Sequence, residues 1–127
     1  MRRRRGSSWA DKVGGQVAAR QRFEAMVQDA LDELPAMFQE QLDNLAIVIS
    51  DTGDPGMLGL YEGIPSTLRD GSYSGVLPDV ITIYRRPLEM RAKDEASLAR
   101  EVRITVLHEI AHHLGIDDER LHELGWD

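Results

Sequence analysis

The residues best placed to do chemistry lie between Thr105 and Asp118, where His108-Glu109-Ile110-Ala111-His112 spells H-E-x-x-H. On a helix, residues i and i+4 lie about 40° apart around the axis and one turn along it, so both imidazoles can reach one ion. The carboxylate of Glu109 projects on the flank of that face, where it can accept a proton from water activated by the metal. His113 points about 100° further round than His112, so it cannot join them from the same helix and is read as a hydrogen-bonded or solvated structural residue. A catalytic zinc usually takes three protein ligands and keeps one position for water, so the third ligand must lie beyond the helix. Gly115 can end the helix in a left-handed turn. The spacing then reads H-E-x-x-H-x-x-G-x-x-D, with Asp118 as third ligand and Asp117, Glu119 and His122 as the alternatives.

A chance H-E-x-x-H is expected in roughly one such chain in a hundred, so the surrounding elements decide its weight. Asp94 is a suitable N-cap for a helix from about Glu95 to Leu114. On its wheel Val102, Ile104, Val106, Leu107, Ile110, Ala111 and Leu114 fill a wide apolar arc, which predicts a central, buried helix. The remaining arc holds Ser97, Glu101, Thr105, His108, Glu109 and His112, polar groups that need partners on a core helix. A metal ion and a wet cleft would supply them.

The elements around that helix read clearly in places. Phe23, Met26, Val27, Ala30, Leu31 and Leu34 recur at helical spacing, predicting an amphipathic helix from Arg20 that Pro35 ends. A further turn or two through Met37, Phe38 and Leu42 leads to Leu45–Ile49, a β-branched run that reads as a buried strand. Asp51–Gly56 is dense in turn residues. Leu58–Tyr61 is a candidate short strand at the start of a long loop reaching Gly75, and Val80–Tyr84 reads as a further strand, closed by Arg85-Arg86-Pro87.

Composition bounds the rest. The chain has 127 residues, 42% of them hydrophobic, enough for one ordinary domain. Its net charge is −7, and because Arg2–Arg5 contribute four positive charges, the remainder carries −11. Residues 1–20 combine that arginine run with Gly14-Gly15 and few large apolar groups, so they are expected to form a flexible basic arm before a single domain over 21–127. An acidic body disfavours nucleic acid as the main partner. There are no cysteines, so a metal must be held by His, Asp, Glu or backbone, and a reducing cytoplasmic setting is expected. The polar run Gly6–Lys12 stands where a signal peptide needs an apolar stretch, and no apolar run is long enough to span a membrane.

The run His108–Leu121, HEIAHHLGIDDERL, resembles the small bacterial zincin-like metallopeptidase family, and so do Leu58–Pro65 and Leu77–Tyr84 upstream. The resemblance extends from about Phe23 to the C-terminus. It implies an α+β, minimal zincin-like fold with a small mixed sheet packed on an active-site helix, and zinc at His108, His112 and Asp118. The spacing is also similar to that of metzincins with the third His replaced by Asp. Metzincins place a methionine turn under the metal, whereas the last methionine here is Met90, upstream of the motif.

These readings converge on a zinc-dependent hydrolase of peptide bonds with Glu109 as general base. In zincins generally an extended substrate pairs with a sheet edge, and Val80–Tyr84 is the candidate edge. Tyr61, Tyr73 and Tyr84 are candidates for stabilising the oxyanion. Two alternatives remain. One is a metal-dependent endoribonuclease, since a bacterial ribosomal-RNA processing family carries H-x-x-x-H-x-x-x-x-x-H with its third ligand at the position of Asp118. The other is a non-catalytic domain stapled by zinc and closed by a fourth ligand such as His122 or Glu119.

Overall fold

The computed structural model describes residues 9–63 and 78–126. Helix α1 spans Trp9–Asp32, and a short helix α2, Ala36–Gln39, runs into a 3₁₀ turn at Glu40–Leu42. Strands β1 (Leu45–Ser50), β2 (Gly59–Glu62) and β3 (Asp79–Tyr84) follow, then helices α3 (Arg85–Arg91), α4 (Glu95–Leu114) and α5 (Asp118–Leu124). This is a small α+β fold, as the sequence predicts.

The three strands form one mixed sheet in the order β1-β3-β2. β1 runs parallel to β3, from Leu45 opposite Asp79 to Ser50 opposite Tyr84, and β2 runs antiparallel with Tyr61 opposite Ile81. Strand β3 is therefore central, not the edge that a substrate could join. Its alternation decides which face is covered: Asp79, Ile81 and Ile83 are buried while Val80, Thr82 and Tyr84 are half-exposed. Residues directly opposite on neighbouring strands point to the same face, so Ile47, Ile49, Gly59 and Tyr61 share the covered side. β1 is less buried than its apolar run suggests. It lies at the sheet's margin, and Val48 is 47% exposed.

Helix α4 lies across the covered face. Val102, Val106, Leu107, Ile110 and Ala111 join Ile81, Ile83 and Leu88 in one core, to which α1, packed on α4, adds Phe23, Val27 and Ala30. α4 starts in a capping box in which Asp94 accepts from the Ser97 backbone and the Ser97 hydroxyl accepts from the Asp94 backbone. It stops at Gly115, φ 74°, where the Gly115 and Ile116 amides donate to the His112 and Ala111 carbonyls. Those two bonds are a Schellman closure, which needs a left-handed residue that glycine adopts without strain. Gly125 ends α5 in the same way, seating buried Trp126 edge-on against Phe38 at 5.5 Å.

Two elements differ from expectation. The helix expected to begin at Arg20 begins at Trp9, so much of the proposed mobile arm is helical; Arg2–Arg5 lie outside the described residues. This N-terminal half of α1 carries side chains that find distant partners. Arg20 donates to the Asp51 carboxylate and the Ile49 carbonyl, and Gln16 accepts from Arg85 at 3.1 Å. Arg85 itself is buried, bonded to Asp51 at 2.8 Å and to both carboxylate oxygens of Glu89. Its hydrogen bond holds the Asp51 carboxyl below the usual aspartate range, against a smaller opposing effect of desolvation. The second difference is α3, which continues directly from β3 where only a strand stop is predicted. Pro87 is in its first turn, where a missing amide is tolerated, and fully buried Leu88 anchors it.

Candidate metal centre

Three side chains of α4 converge on one spot. His108, Glu109 and His112 each offer a donor atom, and these atoms lie within 4.8 Å of one another. The histidine rings are 4.6 Å apart, edge to face, as one helical turn requires. Glu109 is nearly buried, and its Oε1 lies 3.3 Å from Nδ1 of His112. Two imidazole nitrogens and a carboxylate, with no thiolate, are a donor set that suits zinc and related divalent ions. By the chemistry of its donors the site fits a metal.

Glycine in β2 allows this carboxylate to sit against the sheet. A methyl group at Gly59 would stand 2.9 Å from Cγ2 of Thr105, 3.1 Å from Cγ of Glu109 and 3.4 Å from its Oε2. β2 and α4 thus approach closely at the Glu109 carboxylate. Beside it opens a cleft of about 510 Å³ whose walls include Met57, Leu58, Gly59, Ile104, Thr105, His108 and Glu109. Thr105, His108 and Glu109 of the polar arc of α4 face this cleft, while Val102, Val106, Leu107, Ile110, Ala111 and Leu114 of the apolar arc join the core. Ile104, grouped with the core by periodicity, instead lines the cleft.

Of the predicted site residues, His108, Glu109 and His112 are brought together and Asp118 is not. Asp118 is the first residue of α5 and is exposed, outside the converging group. Asp117 precedes it as the helix cap, accepting the Arg120 amide at 2.8 Å. Glu119 and His122 are also exposed and outside the group. The local reason is the new helix: Gly115 turns the chain as expected, but α5 begins at once and its geometry sets where the carboxylates point.

His113 has the structural role expected of it, and a more specific one than its position implies. It is 1% exposed, with Nδ1 2.8 Å from Oδ2 of Asp79 and Nε2 3.0 Å from the Gln41 carbonyl. A carbonyl only accepts, so Nε2 carries a proton and donates it; one further proton lies on the line between Nδ1 and Asp79. Tyr61 donates its hydroxyl to the same Asp79 oxygen at 2.6 Å, and its ring stands edge-on to His112 and His113, 6.4 and 6.1 Å away between centroids. Among the tyrosines proposed for an oxyanion, Tyr61 is thus bonded to Asp79, Tyr84 lies against Gly53, and Tyr73 is outside the described residues.

Asp79 is the residue that sequence reasoning missed. Its signal was the position immediately before the Val80–Tyr84 run, where an aspartate reads as a turn residue. Only its register opposite Leu45, on the covered face of the sheet, makes it a buried carboxylate.

No curated protein matches the chain significantly. The sequence model of the zincin-like metallopeptidases, in contrast, matches residues 35–126, from α2 through the strands and the converging histidines to Trp126. With that match covering most of the sequence and the H-E-x-x-H group folded on a central helix against a small mixed sheet, the chain belongs to the zincin-like metallopeptidase family.

Proposed function

We propose that this protein is a zinc-dependent peptidase whose reactive centre is the His108–Glu109–His112 group. The observation that carries the reading is the convergence of those three side chains beside an open cleft, with the carboxylate nearly buried between helix and sheet. His108 and His112 hold the ion, and Asp118, just past the Gly115 turn, is the proposed third ligand. A divalent ion in such a site supplies Lewis acidity, polarising a peptide carbonyl and acidifying water.

The chain's own residues do the remaining work. Glu109 accepts the proton of the attacking water and passes it to the nitrogen of the leaving amine as the C–N bond breaks. Its placement against β2 limits the directions its carboxylate can take, and His112 Nδ1 lies beside it to hold that orientation. The substrate backbone pairs with β2. That strand has β3 on one side and, among the described residues, no strand on the other, and it begins at Gly59 beside the cleft. No helix among the described residues is long and apolar enough to cross a membrane.

The test is a set of three variants assayed for zinc affinity and for cleavage of an unfolded protein. Glu109→Gln should retain zinc and lose cleavage by about 10²-fold or more, since general-base catalysis contributes about 10²–10⁴. His108→Ala should lose zinc, and Asp118→Asn should weaken it. Undiminished cleavage by Glu109→Gln would refute the mechanism. Cleavage of RNA but not of protein would replace the substrate class, and tight zinc without any cleavage would favour a structural metal.

A further inference from the structure

The mechanism makes no use of the buried carboxylate of Asp79, yet the β2 segment and α4 are built onto it, and through His113 so is the 3₁₀ turn. Asp79 opens the central strand and is 1% exposed. Its Oδ2 receives the Tyr61 hydroxyl from β2 at 2.6 Å and faces Nδ1 of His113 on α4 at 2.8 Å. His113 in turn reaches the Gln41 carbonyl in the 3₁₀ turn at 3.0 Å. Gly63 closes over the other side: a methyl group there would stand 2.3 Å from Cγ of Asp79 and 2.4 Å from Oδ1. Enclosing a charged group this fully is costly unless it is paired and hydrogen-bonded, and partial satisfaction is worse than none. Nothing in a three-stranded sheet on a helix requires a carboxylate at this position, where an aliphatic residue would pack with Ile81 and Ile83.

What the network fixes is the ring of Tyr61. That ring stands edge-on to both His112 and His113, and its hydroxyl is held by the same Asp79 that holds His113. The three residues close a triangle between the end of β2 and the last turns of α4. The His112 side chain is 41% exposed; within α4 it meets the His108 ring at 4.6 Å and the Glu109 carboxylate at 3.3 Å, and the Tyr61 ring is the contact it receives from the sheet. A metal ligand needs its ring orientation fixed, and groups behind the ligand supply this.

We propose that Asp79 is a positioning residue of the metal centre, holding the Tyr61 ring against His112 and tying the β2 edge to the metal-bearing turn of α4. The inference rests on His108 and His112 being the metal-holding pair, and it concerns this chain's buried polar triangle, not the ligands themselves.

The experiment is a Co²⁺ titration of the full chain, read by visible absorption, which reports coordination geometry directly. The variants are wild type, His108→Ala, Tyr61→Phe and Asp79→Asn, each checked for folding by near-ultraviolet circular dichroism. Wild type should give a saturable cobalt spectrum that His108→Ala abolishes. Tyr61→Phe keeps the ring and loses only the tether. It should bind Co²⁺ several-fold to tenfold more weakly, with shifted bands, as loss of groups behind metal ligands commonly does. Asp79→Asn should change both readouts in the same direction. If it does not fold, Tyr61→Phe decides. Wild-type affinity and an unshifted spectrum in folded Tyr61→Phe would overturn the positioning role while leaving the metal site intact. Absence of a wild-type cobalt spectrum, or its persistence in His108→Ala, would overturn the metal site and this inference with it.

Discussion

Substituting Gly59 with alanine isolates the contact between sheet and reactive carboxylate. The added methyl carbon would lie 2.9 Å from Cγ2 of Thr105 and 3.1 Å from Cγ of Glu109, against roughly 3.5–4.0 Å for unstrained carbon contacts. Both neighbours are side-chain atoms, so β2 can stay in place while the Glu109 side chain retreats by about 0.5 Å. Catalytic groups need positioning to about 0.5 Å, and a displacement of 1 Å can cost about 10²-fold. Gly59→Ala should therefore lower kcat by about tenfold, equivalent to about 1.4 kcal/mol in the barrier. Zinc affinity should change little, because the nearest atoms belong to Thr105 and Glu109, not to the histidines. Global stability should fall by only about 1 kcal/mol, since the overpacking cost is offset in part by the backbone entropy that glycine no longer loses. Peptide hydrolysis under saturating zinc, zinc affinity by competition with a chromophoric chelator, and urea unfolding measure the three quantities separately. A folded Gly59→Ala with unchanged kcat would refute the view that β2 aims Glu109. Loss of zinc in proportion to activity would refute it equally, by moving the effect to the histidines.

Two further predictions concern the frame that holds the centre. Ile110 is fully buried on the core side of α4, so Ile110→Ala should lower unfolding free energy by about 2–5 kcal/mol in urea, and a loss below about 1 kcal/mol would mean that α4 is not the core helix. The Asp51 carboxyl is held below its ordinary value of 3.8, chiefly by the Arg85 hydrogen bond, so its contribution is present above that value and disappears as pH falls through the lower folded-state pKa. The stability gap between wild type and Asp51→Asn should be open at pH 7 and narrow below about pH 4; a gap independent of pH would contradict the pairing.

Features that depend on neighbours along the chain were legible in the sequence. Helix α4, its Asp94 cap and its Gly115 stop follow from spacing and from the conformations those residues favour, and so does the pairing of His108 with His112 one turn apart. Strands β1 and β3 were legible because β-branched residues dominate them. Their places in the sheet were not, since a central and a marginal strand share the same period of two, and only the register of all three strands puts β3 in the middle.

What tertiary structure alone decided comes from partners far apart in sequence. α1 begins at Trp9 although Gly14 and Gly15 disfavour a helix there, and along it Gln16 and Arg20 find Arg85 and Asp51 across the fold. Asp79 looked like a turn residue and became a buried hub, because strand register carried it under Tyr61 and His113. Asp118 matches the spacing of a third ligand, and only the fold shows that it opens α5, exposed and outside the group that His108, Glu109 and His112 form. Sequence by itself determined which groups could do metal chemistry, because one helical turn fixes the separation of His108 and His112. It did not determine what surrounds them, because the environment of Glu109 and His112 is made by β2, whose glycine and tyrosine act only once the sheet has brought them against the helix.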